Sequence, residues 1–400
     1  MIRVVSVNTV YPGPDTPVSG LFARRRLAAL GTRADVRVLH LRPWFPILRP
    51  SPAGWSGPVP GETPLATRRR MFYLPGVLKS LDGWWVKRAA LPALHRAAAA
   101  GRLDAIDAQF GYPAGVGCAL AGRALGKPVF ITVHGLEPWV LGQGGRRARQ
   151  LRWALRECAG VVCVSDSLYA AVLAEGVPPD RARVIPNAAG RDVFRPRPRE
   201  EARRQLGLPA TGRLVVSVGR FDREKGQLVL VGAFRRLRER VGDVRLALVG
   251  PRDAHEPNYL GEVRALVARS GLAAAVTLPG PQTPEQVSDW LNAADLFALA
   301  TFHESRSCVI LEAMACGVPV VTTPVGDNPM LIDPPHRGLL VPPGDEPALA
   351  AALATALGTR WDRDRIAAWG EDHGWAAVGR ETERFMAERI AAFAAARARG

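Results

Sequence analysis

The feature that most constrains this chain is a rhythm in which short runs of apolar, often β-branched residues alternate with stretches that suit a helix. The first series runs through Ile2–Val7, Val36–Leu41, Ala105–Ala108, Val129–Val133, Val161–Val164 and Arg183–Ile185. Parallel strands need a long crossover between them, usually a helix, so this alternation implies a parallel sheet covered on both faces. Beyond Asn187 the rhythm breaks into Arg191-Asp-Val-Phe-Arg-Pro-Arg-Pro-Arg199, a composition suited to a linker. A second series follows at Leu214–Val218, Arg245–Val249, Val276–Leu278, Leu296–Ala300 and Val318–Thr322. A chain of 400 residues is too long for one ordinary core. The expected fold class is α/β with two domains, 1–190 and 191–375, followed by an alanine-rich terminal helix over 376–400. Pro43–Gly83, rich in Pro, Gly, Trp and Arg, fits no strand of the rhythm and is expected to be a long excursion from the first domain, a kind of loop that often carries function.

Hydrophobic residues make up 48% and charged residues 22% of the chain, values that exclude general disorder. The start, Met1-Ile-Arg-Val-Val-Ser-Val-Asn8, lacks the apolar stretch and cleavage site of a secretory signal and reads as a first strand. No run of ~20 apolar residues is free of charge, so no membrane-spanning helix is expected. Cys118, Cys158, Cys163, Cys308 and Cys316 form no Cys-x-x-Cys pair and lie in apolar surroundings, which suits reduced thiols in a cytoplasm rather than disulfides or zinc. The formal charge of +16 favours anionic partners. A composition that uses arginine where other proteins use lysine accounts for part of it.

The most informative stretch is Ala300-Thr-Phe-His-Glu304-Ser-Arg306-Ser307-Cys308-Val309-Ile-Leu-Glu312-Ala-Met-Ala-Cys-Gly317. A strand ends near Ala300 and a helix is expected from Ser307 to Gly317, with Pro319 beyond it. Glu304 then stands before the helix and Glu312 about one turn inside. Between them the amides of Ser307, Cys308 and Val309 lack intrahelical partners and offer an anion site. On spacing alone, a loop charge near a helix dipole and an exposed helix residue are the more ordinary reading. In Val215-Val-Ser-Val-Gly219-Arg220-Phe-Asp-Arg-Glu-Lys225-Gly226 a strand runs into a glycine and two cations, a fork and a point charge that suit a diphosphate. A solvated loop with incidental charges explains them equally well.

Together these stretches resemble the large glycosyltransferase family four. Ile185-Pro-Asn187, Leu248-Val-Gly250-Pro, Leu278-Pro-Gly280 and Gly338-Leu-Leu-Val-Pro-Pro-Gly344-Asp follow in the order that family shows. In the first half, Val18-Ser-Gly20-Leu-Phe-Ala-Arg24 is similar to its glycine-bearing loop and Thr132-Val-His134-Gly135 to its active-site histidine segment. The stretch from Asp107 to Val129 is similar to bacterial members that build exopolysaccharide or teichuronic-type polymers.

The resemblance implies the GT-B fold: two Rossmann-like domains facing across a cleft, an acceptor-side domain 1–190 that the helix 376–400 rejoins and a nucleotide-sugar domain 191–375. It also implies retaining transfer of a hexose-type sugar from a UDP- or GDP-sugar to a glycan, lipid-linked or small-molecule acceptor, without metal or cofactor. Arg220 and Lys225 would neutralise the diphosphate. Glu304 and the amides of Ser307, Cys308 and Val309 would position the sugar, Glu312 would hold the ribose, and His134 would touch the sugar. Gly20, Asn187 and Gly219 would line the substrates. Two positions depart from the pattern. Ser305-Arg306-Ser307 replaces a small, glycine-rich stretch, and Gly326-Asp327-Asn-Pro-Met330 lacks a carboxylate that members often carry, so an altered sugar pocket or a nucleotide-sugar-binding pseudoenzyme are alternatives, as is a same-fold epimerase or hydrolase.

Arg24–Arg26, Arg68–Tyr73, Trp84–Arg88 and Arg146–Arg149 mix cations with aromatic residues, which suits the inner face of an anionic membrane as well as it suits a merely basic surface. Nucleic acid is not expected as a partner, because no recognition motif for it is present.

Overall fold

The computed structural model describes the chain except residues 15, 17–18, 47–54, 56–63, 65, 254, 334, 373 and 400. It divides into unit 1, Met1–Asn187 with Trp375–Gly400, and unit 2, Ala188–Gly374.

Unit 1 is built on β1 (Arg3–Asn8), β2 (Asp35–Trp44), β3 (Ala66–Phe72), β4 (Ala105–Gln109), β5 (Val129–Val133), β6 (Gly160–Cys163) and β7 (Ala182–Val184). These pair, all parallel, in the order β3-β2-β1-β4-β5-β6-β7. Every residue of β4, β5 and β6 is buried, which is why they read as mostly apolar runs, with Asp107 and Gln109 of β4 buried as polar exceptions. Unit 2 holds β8 (Arg213–Val218), β9 (Val244–Val249), β10 (Val276–Gly280), β11 (Leu296–Leu299), β12 (Val320–Thr322) and β13 (Gly338–Leu340), again parallel, in the order β10-β9-β8-β11-β12-β13. One core lies on each face of this second sheet, around Phe234 and Leu248 on one side and Phe297 and Met314 on the other. Both units are Rossmann-like, the fold class the sequence implies.

Two strands were absent from the sequence expectation. β3 lies inside the Pro43–Gly83 stretch, part of which falls outside the described residues. It reads Ala-Thr-Arg-Arg-Arg-Met-Phe, three consecutive cations that an edge strand tolerates and that interrupt any apolar run. β13 is three residues long, also at an edge, and too short to register as a period.

In each sheet the strand order reverses once, between β1 and β4 and between β8 and β11. Crossovers leave in opposite directions there, so the loops at the carboxyl ends part and leave room for a ligand.

The helix Trp375–Arg399 packs on the helix Leu21–Gly31, and a Cβ on Gly379 would collide with the Ala29 carbonyl. Its Phe385 is fully buried edge-on against Phe130, with ring centroids 6.1 Å apart. Arg389 Nε donates to the Ala159 carbonyl at 3.1 Å and its guanidinium pairs with Asp180 at 2.8 Å. Phe385→Ala is expected to destabilise unit 1 by about 3–5 kcal/mol, read from urea unfolding. A loss below ~1 kcal/mol would mean that this helix contributes no core.

Candidate functional site

At the reversal in unit 2, β8 ends where Gly219 N donates to the Val249 carbonyl at 2.9 Å. The chain then passes through Arg220 and a single 3-10 turn, Arg223–Lys225, and enters the helix Gln227–Arg240 through Gly226, whose φ of 65° favours glycine. A Cβ there would overlap the Ala300 carbonyl, so only glycine lets this loop lie against the end of β11. The Glu224 carbonyl accepts from Phe302 N at 2.7 Å and from Thr301 Oγ1 at 2.9 Å, joining the two loops. As a result Lys225 Nζ reaches Glu304 Oε1 at 2.6 Å, with the two side chains 17% and 12% exposed.

Arg220 projects from the same loop and stays half exposed. Asp222 at 2.9 Å and Asp253 at 3.3 Å hold its guanidinium, while Gln227 Nε2 donates to its carbonyl at 2.7 Å. Burial raises the Asp222 carboxyl, opposed by Arg220 and Lys225 and by the Lys225 amide that it accepts. Sequence reading missed both aspartates as partners. The only signal was an acidic residue in each of two neighbouring strand-end loops.

The loop carrying Glu304 is clamped from its other side. Gly326 has φ 54°, a Cβ on it would overlap the Glu304 carbonyl, and Asp327 N donates to the Ser305 carbonyl at 2.9 Å. Arg306 Nη1 pairs with Asp327 Oδ2 at 3.5 Å, the side chains being 8% and 3% exposed. The two departures noted in the sequence are therefore partners of each other. Ser307 then takes the N-cap position of the helix Cys308–Ala315 without a side-chain capping bond, and Glu312 sits half-buried one turn in. Cys308 and Val309, in the first turn, are also half-buried. Structure thus gathers Gly219, Arg220, Lys225, Glu304, Ser307, Cys308, Val309 and Glu312 on the β8 and β11 strand-end loops and the helix that follows β11.

His134, Gly20 and Asn187 belong to unit 1. His134 follows β5, and its ring lies 4.8 Å from both Phe22 and Phe110 between centroids. Its Nε2 meets Gln109 Oε1 at 2.9 Å, and Gln109 Nε2 donates to Asp107 at 2.8 Å. Ser6 Oγ also donates to Asp107, and Asn8 Nδ2 donates to Ser6 Oγ at 3.1 Å. Because Asp107 claims the Gln109 amide nitrogen, Gln109 turns its oxygen to His134, so the neutral imidazole carries its proton on Nε2 and offers Nδ1 as an acceptor. Burial, with repulsion from Arg26 as the smaller cause, holds the His134 pKa well below 6.5. Burial raises the Asp107 carboxyl.

Gly20 opens the helix Leu21–Gly31 at φ 71°, a Cβ there coming within 2.8 Å of the Val10 carbonyl. The preceding Val18 lies outside the described residues. Asn187 Oδ1 accepts from the buried Arg26 at 3.2 Å. Sequence reading also missed Glu137, whose buried carboxylate accepts from the amides of Gly111, Gly135 and His134 at 2.8, 2.9 and 3.1 Å. Burial raises its pKa against those bonds.

Removing one partner of the buried Arg306–Asp327 pair takes a compensating charge from a desolvated place, whereas replacing both with apolar side chains removes the two charges together. Asp327→Ala is expected to cost about 3–5 kcal/mol in chemical unfolding, and Arg306→Met with Asp327→Leu much less. Equal costs would show that the pair is solvated. For His134, the unfolded chain takes a proton near pH 6.5 while the fold keeps the ring neutral. Its contribution to stability is complete above that pH and lost as pH falls below it. His134→Gln should flatten the melting temperature against pH on the acid side of 6.5; an unchanged slope would contradict a desolvated imidazole.

Comparison with known proteins adds a second line of evidence. The model described as glycosyl transferases group 1 matches residues 212–359, and the one described as glycosyltransferase family 4 matches residues 56–190. A D-inositol 3-phosphate glycosyltransferase of Thermobispora bispora is 32% identical over 67% of this chain and 65% of its own length. The matches to several other relatives of that name span about half of their length. The putative teichuronic acid biosynthesis glycosyltransferase TuaC of Bacillus subtilis is 28% identical over 91% of this chain and 90% of its own. Among solved structures, a sucrose-phosphate synthase from Thermosynechococcus elongatus shares the fold with a TM-score of 0.74 at 23% identity, over 98% of this chain and 100% of that one. Anabaena HepE in complex with UDP and glucose does so with a TM-score of 0.74 at 20% identity, over 96% and 100%.

Proposed function

The chain belongs to the family 4 glycosyltransferases, and on that premise we propose that it moves a hexose-type sugar from a UDP- or GDP-sugar to a glycan, lipid-linked or small-molecule acceptor, with retention of configuration, in the synthesis of cell-surface polysaccharide or glycoconjugate. In this proposal 191–375 is the donor domain and 1–190, completed by 376–400, the acceptor domain. The protein works in the cytoplasm at the inner face of an anionic membrane. The observation that carries the donor assignment is the Lys225–Glu304 contact at the strand-order reversal of unit 2, with Arg220 beside it and a helix start next to it. That HepE was solved with UDP and glucose supports a nucleotide-sugar donor.

The chemistry follows from these groups. As the sugar–phosphate bond breaks, negative charge grows on the departing diphosphate. Arg220 is already oriented by Asp222 and Asp253, so little reorganisation is needed to meet that charge. Lys225 shares its ammonium between Glu304 and the phosphate, and the contact with phosphate strengthens as the bond breaks, which lowers the barrier rather than merely tightening binding. Glu304 and the first amides of the helix Cys308–Ala315 fix the sugar, and Glu312 accepts from the ribose hydroxyls. Because burial keeps the His134 ring neutral, its Nδ1 carries no proton and accepts from a substrate hydroxyl, which an imidazolium could not do. Attack and departure on one face of the sugar give retention.

Calorimetric titration with UDP- and GDP-sugars should show one class binding, weakened about 10- to 100-fold by Arg220→Ala and by Glu312→Ala. Lys225→Ala should reduce kcat by about 10²–10³-fold. Folded protein that binds neither class would remove the proposal.

A further inference from the structure

Unit 1 carries a second concavity that the donor chemistry does not use. It is an apolar groove of 470 Å³ walled by Leu81, Trp84, Val116, Leu120 and Trp153. Gln150 also lines it, and the buried Gln150 Oε1 has no hydrogen-bond partner among the described residues. The segment at its rim runs against ordinary burial. Val77 and Leu78 are 58% and 59% exposed, and Leu78 is held at φ 48°, a left-handed conformation that a leucine rarely adopts. A strained, solvent-facing leucine beside an apolar groove adds nothing to the core and is open to contact with a ligand. Trp84 and Trp139 extend the apolar surface, 45% and 56% exposed.

The charge beside this groove is one-sided. Arg88 lies over the Trp84 ring at 5.7 Å, Lys79 over Tyr73 at 4.5 Å and Arg147 over Trp139 at 5.8 Å. Asp82 faces both Lys79 and Arg147 and is the carboxylate set against them. Cations held on aromatic faces around an apolar slot complement a molecule with a hydrocarbon chain and an anionic head.

Position ties the groove to the acceptor half. One turn touches both places: Phe110 packs on the His134 ring, and the Tyr112 hydroxyl donates to the Lys79 carbonyl, one residue before the groove wall begins at Ser80.

We propose that this groove receives the hydrocarbon chain of a membrane lipid bearing a phosphate, so that the acceptor is lipid-linked, an assignment that rests on the transferase proposal above. The chain lies along Trp84 and Trp153, the phosphate meets Arg88, Lys79 and Arg147, and the head carries the acceptor hydroxyl toward the carboxyl edge of the unit 1 sheet, where His134 stands.

The test is calorimetric titration of the full chain with alkyl phosphates of rising length below their micellar concentration, with UDP- and GDP-sugars titrated on the same samples. Affinity should climb by roughly fourfold per methylene until the groove is full and then level off. Methyl phosphate should bind far more weakly, as should an alkyl ammonium of equal chain length. Leu120→Trp, which fills the groove, and Trp84→Ser, which opens its exposed wall, should each weaken the longest alkyl phosphate about tenfold or more and leave donor binding unchanged. Flotation with vesicles of anionic phospholipid should follow the same ranking. Affinity independent of chain length would overturn the proposal, as would Leu120→Trp and Trp84→Ser that bind like the parent while Arg88→Glu abolishes binding, the signature of a basic surface alone. Alkyl phosphate binding without donor binding would leave the groove standing and remove the transferase reading; the converse would remove only the groove.

Discussion

The close approach of Gly226 to the Ala300 carbonyl is the constraint on which the site of unit 2 depends. Because no side chain intervenes, the loop leaving β8 settles against the end of β11, and the Glu224 carbonyl is free to accept two donors from the β11 side. Those contacts bring Lys225 to Glu304, residues far apart in sequence. Gly326 does the same from the other side, with the Asp327 amide holding the Ser305 carbonyl. The Glu304 loop is thus fixed by backbone on both flanks, and the charged side chains are placed rather than left to find one another.

Much of the fold was legible because the central strands β4–β6 and β8, β9, β11 and β12 are largely buried on both faces and so are mostly apolar, Asp107 and Gln109 of β4 being polar exceptions. The edges were not, since β3 carries three consecutive arginines and β13 is three residues long. For the candidate site the same division holds. Arg220, Lys225, Glu304 and Glu312 stand in recognisable stretches at strand ends. Their partners do not: Asp253 sits on a different strand's loop from Arg220, and Glu137 reaches Gly111 across two elements, so no local period announces either contact. Arg306 and Asp327 show the limit most clearly. Taken singly each is a departure, and only a three-dimensional neighbourhood makes them one ion pair.

The two candidate sites manage charge differently. At the unit 2 site ionic groups are paired, Arg220 with two aspartates, Lys225 with Glu304 and Arg306 with Asp327. In the proposed donor role, an incoming diphosphate would meet cations that are oriented but already balanced, so binding would exchange one anion for another rather than neutralise a bare field. Around His134 burial pushes each group toward its neutral form, His134 downward and Asp107 and Glu137 upward. Hydrogen-bond direction, set by the Asp107–Gln109–His134 chain, therefore carries the information there, and it is insensitive to ionic strength.

The helix Trp375–Arg399 gives the chain a nested order of synthesis. Unit 1 begins first, yet the side chain that covers Phe130, Phe385, is translated only after every residue of unit 2. A ribosome making this protein therefore exposes a complete, self-contained unit 2 while the first unit still waits for its last helix, with the surface of β5 and β6 open in the meantime. Unit 1 is the last to close, and quality control acting on nascent chains would meet an unfinished first unit for most of the time that translation takes.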